Sequence, residues 1–214
     1  MTSTRITQLR RIRYGLWLLV AVAALALGAA FLGRTSGLRE LPSPTAFGEA
    51  AVHSEFSLTD HNGNRVTQAD FFGRWQLVFF GFTHCPDVCP TTLAYMAKVL
   101  DRLGGAVERV APLFITVDPT RDTPAVMAEY VQAFHPKLVG LTGSEADVAA
   151  AAQSFRVYYE KVEEETALDG YLMAHSGHIY LMAPDGRFED VFREGEQSAD
   201  EMAANILAGM NGKE

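Results

Sequence analysis

Two cysteines, the only ones in the 214 residues, stand four apart in the stretch Gly81-Phe-Thr-His-Cys85-Pro-Asp-Val-Cys89-Pro90-Thr-Thr92. Paired thiols at this spacing suit two chemistries: cycling between dithiol and disulfide, or holding a soft metal ion. As a structural staple the pair would contribute little, because the chain-entropy model gives a five-residue loop about 2 kcal/mol against about 4.7 for a hundred residues.

The flanking sequence says how the pair is delivered. The run Trp75 to Phe82 is apolar throughout, as in a strand buried on both faces, and Thr91 to Leu103 is amphipathic. The cysteines therefore fall at a strand-to-helix turn, where open α/β sheets place their chemistry. Pro90 suits the first helical position and biases Cys89 away from helical backbone, which predicts Cys89 as the N-cap. Both sulfurs then lie near a helix N-terminus whose partial positive charge favours thiolate.

A soft cation held by two thiolates commonly takes imidazole as a third ligand. Of six histidines, His61 falls in a turn, His53 beside a linker and His135 before Pro136, all positions of solvated surface. His84 adjoins Cys85, but neighbours on an extended segment point to opposite sides, so it is expected to pack or cap the loop. His175 lies in the irregular segment Met173 to Gly177, where glycine lets the loop bend toward the sulfurs. His178 is already in a strand and is expected to have a core or cross-strand role, which leaves it as the alternative ligand.

The N-terminus sets the compartment. Residues 14–33 are twenty residues without a charge, long enough to cross a hydrocarbon core about 30 Å thick. Arg5, Arg10, Arg11 and Arg13 precede them with no acidic residue, so residues 1–13 are expected in the cytoplasm and the chain after the span outside it. The apolar run exceeds the 7 to 15 residues of a cleaved signal core, which favours a retained anchor. Residues 34–50, with Pro42 and Pro44, read as a linker, and 51–214 as the folded domain. Residues 1–39 hold six of the 18 basic residues and no acidic ones, leaving 12 basic against 26 acidic beyond them, a net −14. That charge excludes a nucleic-acid or anionic-lipid surface, and no phosphate-cradling glycine loop is present for a nucleotide.

Within the domain, Phe56 to Thr59 and Asn64 to Phe72 flank the turn Asp60-His-Asn-Gly63 as an opening hairpin. Val110 to Val117 is a second buried strand. Thr123 and Pro124 open a helix to about Phe134, Lys137 to Leu141 is a short strand, and Ser144 with Asp147 caps a helix to Phe155. Arg156 to Val162 alternates, Glu163 to Ala174 reads as a polar irregular insertion, and His178 to Met182 with Phe188 to Phe192 form an edge hairpin. Ser198 with Glu201 opens a closing helix. The pattern predicts an α/β fold, a largely parallel sheet with one antiparallel edge hairpin, of thioredoxin-like shape behind a single N-terminal transmembrane helix.

Three motifs resemble the SCO/SenC family of copper-binding proteins over about residues 48–210. They are Gly-Phe-Thr-His-Cys85-Pro-Asp-Val-Cys89-Pro, Val117-Asp-Pro-Thr-Arg-Asp-Thr-Pro124, and His175-Ser-Gly-His-Ile-Tyr-Leu-Met-Ala-Pro-Asp-Gly186. The first is specific, since thioredoxins carry CxxC rather than CxxxC. The resemblance implies one copper ion, Cu(I) or Cu(II), held by Cys85, Cys89 and His175. It also implies a membrane-anchored metallochaperone at the periplasmic face of a bacterial inner membrane. Its partners would be the cytochrome c oxidase subunit carrying the CuA site and other copper carriers or thiol reductants. One departure stands out: family members usually carry an acidic residue before the histidine, and here it is Ala174.

The competing function is a metal-independent thiol–disulfide oxidoreductase cycling Cys85 and Cys89. Thioredoxin-like reductases, however, place a cis-proline before the edge hairpin, and no proline lies between Pro136 and Pro184. A peroxidase with Cys85 as peroxidatic thiol and a purely structural docking domain complete the alternatives.

Overall fold

A computed structural model describes Val22, residues 52–167 and residues 169–211. The chain divides into two units, Met1–Thr45 and Ala46–Glu214, and the fold described is that of the second. The expected span, Val22 apart, and the linker lie outside the described residues. Among the described residues no helix is long and apolar enough to cross a membrane.

Among the described residues from 52 on, nine strands and four α-helices follow in the order β1 (Ser57–Asp60), β2 (Arg65–Thr67), β3 (Trp75–Gly81), α1 (Val88–Arg102), β4 (Val110–Thr116), α2 (Pro124–Gln132), β5 (Val139–Thr142), α3 (Glu145–Ser154), β6 (Tyr159–Glu163), β7 (Tyr171–His175), β8 (His178–Met182), β9 (Phe188–Arg193) and α4 (Ala199–Asn211). Seven strands form one sheet in the order β2-β1-β5-β4-β3-β8-β9, while β6 and β7 form a separate two-stranded ribbon. This is the mixed α/β, thioredoxin-like architecture that the alternation of strands and helices implied.

Two features differ from expectation. The sheet is parallel only among β3, β4 and β5, because an antiparallel hairpin closes each edge rather than one. The second difference is that Glu163 to Ala174 is irregular only between the strands: Glu163 closes β6 and Tyr171 to Ala174 belong to β7, which pairs with β6 along its whole length, from Glu163 opposite Tyr171 to Tyr159 opposite His175. A two-stranded ribbon is not buried on both faces, so it lacks the continuous apolar run that marked β3 and β4 in the sequence.

Local chemistry sets the helix starts. The Thr123 hydroxyl accepts the Val126 N–H at the head of α2, and Ser144 with Asp147 forms a capping box on α3. Ser198 exchanges bonds with Glu201 at the head of α4. In the opening hairpin the return strand is cut to three residues, since the Asp70 carboxylate accepts the Thr67 N–H at 2.7 Å and pulls Gln68–Phe71 into a 3-10 turn.

Every residue of β3 and β4 is buried, including Leu77, Val78, Phe79, Phe80, Leu113, Phe114 and Ile115, with α1 and α4 contributing Leu93, Met96, Leu100, Met202 and Ile206. Each such side chain contributes about 1.5–3 kcal/mol by leaving water. Their register places function. Gly81 pairs with Thr116 at the ends of parallel β3 and β4, so the Cys85 loop and the Asp118 loop leave the sheet side by side. Antiparallel β8 pairs Ile179 with Phe79, so the segment that enters β8, His175 to Gly177, arrives at that same end.

Candidate metal centre

α1 begins at Val88 with Asp87 as its N-cap, so Cys89 is the second helical residue and Pro90 the third, two positions later than the sequence reading placed each. Pro90 is still accommodated because the N–H groups of the first turn have no intrahelical acceptor, and the helix closes with the Thr91 N–H donating to the Asp87 carbonyl at 3.2 Å. One of those free donors is used: the Cys89 N–H donates to Cys85 Sγ at 3.3 Å. The helix end thus presents backbone polarity directly to a sulfur.

His175 comes from the other side, at the end of β7, with Nε2 3.3 Å from Cys89 Sγ. The ligand atoms of Cys85, Cys89 and His175 all lie within 4.8 Å of one another, and among the described residues no other group of three such side chains does so. A trigonal ion with metal–sulfur bonds of about 2.3 Å holds its donors about 4 Å apart, so this set needs little adjustment to close on one. Two sulfurs and an imidazole suit copper, which accepts both.

The ring of His175 is oriented without a carboxylate. Its Nδ1 lies 3.1 Å from the Ser176 carbonyl. A carbonyl only accepts, so Nδ1 carries the hydrogen and Nε2 faces the sulfurs: a lone pair in the neutral ring, a donor in the protonated one. Phe79 and Phe82 meet the ring edge-on at 6.1 Å and 5.9 Å between centroids and fix its plane. The position left apolar by Ala174 is therefore supplied by main chain and aromatic packing.

The two thiols are not alike, contrary to the expectation that both would be softened. Hydrogen bonds from the Cys89 thiol first, then from His175 and the N–H groups of Cys89 and Asp87, hold half-buried Cys85 down at about 4. Cys89 is fully buried and its own hydrogen bond to Cys85, followed by burial, pushes it far up. The metal-free pair is one thiolate beside one thiol. Iodoacetamide is expected to alkylate Cys85 with a midpoint near pH 4 and to spare Cys89, read by peptide mass mapping. Because the folded value of Cys85 lies below its unfolded value of 9.0, the folded state binds fewer protons between about 4 and 9. The stability difference between wild type and Cys85→Ser should thus widen with rising pH across that window and vanish as pH falls through about 4. A pH-independent difference in urea unfolding would contradict the assignment.

Sequence reasoning missed the support beneath the cysteine loop. Asp122 is fully buried and accepts from the Thr83 N–H at 3.0 Å, the Thr83 hydroxyl at 2.6 Å and the Thr116 hydroxyl at 2.6 Å, tying the ends of β3 and β4 together. Nearby, Arg121 pairs with Asp118 at 2.5 Å and lies 3.8 Å over the ring of Tyr171, whose hydroxyl donates to Asp118, so the ribbon is pinned beside the centre. The only sequence signal was the two aspartates within the second motif.

The other histidines act structurally. His178 Nε2 accepts from Arg193 Nη2 at 2.7 Å across β8 and β9, the cross-strand role expected of it. His61 and His135 accept the Gly140 and Lys137 N–H groups at 3.0 Å and 3.1 Å, more than the solvated role expected. His84 caps its loop, with Nδ1 3.0 Å from the Thr83 hydroxyl. The large cleft of about 660 Å³ bounded by His53, Gln68 and Arg156 shares no residue with the centre.

Fold and cluster define a class: a thioredoxin-like domain with two cysteines and one histidine, a donor set that suits a soft metal, gathered at one end of its sheet. The SCO1/SenC family profile matches residues 44–211, and the chain belongs to that family. The mitochondrial SCO2 homologue of Bos taurus is 43% identical over 200 residues, covering 89% of this chain and 75% of that one. The crystal structure of Arabidopsis thaliana ScoI with copper bound is 41% identical with a TM-score of 0.71, over 76% of this chain and 99% of that one. The structure of Bradyrhizobium japonicum ScoI with copper bound is 44% identical with a TM-score of 0.69, over 74% and 99%.

Proposed function

We propose that this chain is a copper metallochaperone that binds one ion through Cys85, Cys89 and His175 and assists assembly of the CuA centre of cytochrome c oxidase. The observation that carries the reading is the convergence of three soft or borderline donors within 4.8 Å at one end of the sheet. The copper-bound relatives, at 41% and 44% identity, support it. Anaerobic titration of the reduced full chain with Cu(I) tests it: one ion per chain is expected, weakened by His175→Ala and unchanged by His178→Ala. Equal losses in the two histidine variants would remove His175 from the ligand set.

The chain's arginine-rich start and uncharged segment 14–33 support single-pass anchoring with the domain on the periplasmic side, where short tethers give local concentrations in the mM range. The partners are then the oxidase subunit carrying CuA and whichever copper carrier or thiol reductant loads the site. Intact-mass measurement on the membrane fraction is expected to find residues 14–33 retained. A mature N-terminus beyond Gly33 would refute the anchor.

The unequal thiols favour one further reading, reduction of a partner's disulfide. The Cys85 thiolate would attack one partner sulfur to form a mixed disulfide and release the other as thiolate, which takes up the Cys89 proton. Cys89 would then attack Cys85 Sγ and displace the partner sulfur still bound there, leaving the Cys85–Cys89 disulfide, a two-electron oxidation of this chain, and the partner's dithiol.

A further inference from the structure

A cleft of about 320 Å³ runs beside the metal centre, with Phe82, Cys85, Pro86 and Val88 on one wall and four consecutive residues of β7, Leu172 to His175, on the other. Consecutive strand residues lining one wall means that the strand presents its edge there, since successive side chains point to opposite faces. The pairing with β6 says which backbone groups that edge carries. Ser176 N–H donates to the Tyr158 carbonyl and Glu164 N–H to the Gly170 carbonyl, each at 3.0 Å. These are opposed pairs of the same register as Glu160 with Ala174 and Val162 with Leu172. Hydrogen-bonded pairs alternate along an antiparallel ladder, so Leu172, Ala174 and Ser176 bond to β6, while the N–H and C=O groups of Tyr171, Met173 and His175 point away from it.

Of these three, the Tyr171 carbonyl accepts from Arg121 Nη1 at 3.5 Å. The N–H and C=O of Met173 and of His175 have no partner among the described residues. Two adjacent unpaired sites on a strand edge are a template for one extended chain. Electrostatics chooses its charge. Asp87 lines the cleft, and the cations of this region, Arg121 and Lys161, are both engaged on the Tyr171 ring at 3.8 Å.

We propose that the β7 edge is a docking strand, on which an extended, basic segment of a partner polypeptide pairs antiparallel and places a thioether or thiolate side chain opposite His175. A residue directly opposite His175 shares its face of the ribbon with Cβ atoms about 4.5–5.5 Å apart, so its sulfur reaches the copper-binding side chains as a fourth donor. The metal-ligand part rests on the copper reading above; the strand pairing does not.

The probe is a capped synthetic heptapeptide, Lys-Val-Thr-Met-Thr-Val-Lys, added to the reduced, metal-free full chain. Its thioether takes no part in thiol exchange. On binding, amide exchange at Met173 and His175 is expected to slow about tenfold or more, with Leu172 and Ala174, already bonded to β6, unchanged. N-methylation of the peptide's methionine removes the donor to His175 and is expected to lower affinity about tenfold. Met173→Pro removes only an outward N–H, which an edge strand tolerates, and is expected to lower affinity equally while leaving copper uptake at one per chain. Absence of binding at millimolar peptide, absence of protection at Met173 and His175, or affinity unchanged by N-methylation would each overturn the docking strand. Protection without copper uptake by the wild type would leave the strand standing and overturn the copper reading; copper uptake without protection does the reverse.

Discussion

Replacing Cys85 and Cys89 by alanine together is expected to take copper uptake from one ion per chain to none, and oxidising the pair to a disulfide is expected to do the same with no change of sequence. The reason is charge as much as geometry. A soft ion needs deprotonated sulfur, and a disulfide sulfur has neither the charge nor the lone-pair basicity of a thiolate. His175 alone offers one neutral donor, too few to retain the ion against a chelator. Loading also has to remove the proton that Cys89 holds, so uptake by the reduced chain should release protons and weaken as pH falls. Dithiothreitol should restore one ion per chain to the oxidised protein. Stoichiometric uptake by protein with no free thiol would refute the ligand assignment.

Gly81→Ala should have the next largest effect, although Gly81 binds nothing. A Cβ built there would lie 2.8 Å from Cys89 Sγ and 2.9 Å from Phe114 Cε2, with Phe79 Cε1 at 3.2 Å. Phe114 and Phe79 are fully buried and stacked at 6.0 Å between centroids, so the sulfur or the strand end must yield. Overpacking of this kind costs about 1–3 kcal/mol of stability. It should also move Cys89 off the converged geometry and lower copper affinity about tenfold or more, measured by chelator competition. Adding Phe114→Leu opens space on one side and should restore part of both losses. Copper affinity unchanged in folded Gly81→Ala would mean that the sulfur is not confined by this strand.

The parts of this centre that were legible in the sequence are those set by local rules. The apolar run of β3, the capping residues Thr123, Ser144 and Ser198, and the two cysteines at a strand-to-helix turn all depend on neighbours within a few positions. What the sequence concealed depends on tertiary position. His175 looked like a loop residue because the ribbon that carries it is only two strands wide and polar on its outer side. The inequality of Cys85 and Cys89 arises because the helix starts two residues earlier than Pro90 suggested, which turns the Cys89 N–H onto Cys85 and buries the Cys89 sulfur against Gly81. Asp122 stood in the second motif with nothing nearby to mark its role, since its three donors come from Thr83, just past the end of β3, and from Thr116 in β4. The Ser176 carbonyl that orients the imidazole belongs to the backbone, which no residue type announces.

X-ray absorption at the copper edge on the reduced, Cu(I)-loaded full chain tests the centre most directly, because it counts ligands by element. Two sulfur neighbours and one imidazole nitrogen are expected, with one sulfur remaining in either single cysteine variant and the imidazole signal lost in His175→Ala. One sulfur or none in the wild type, or an imidazole signal that survives His175→Ala, would contradict a centre built from Cys85, Cys89 and His175.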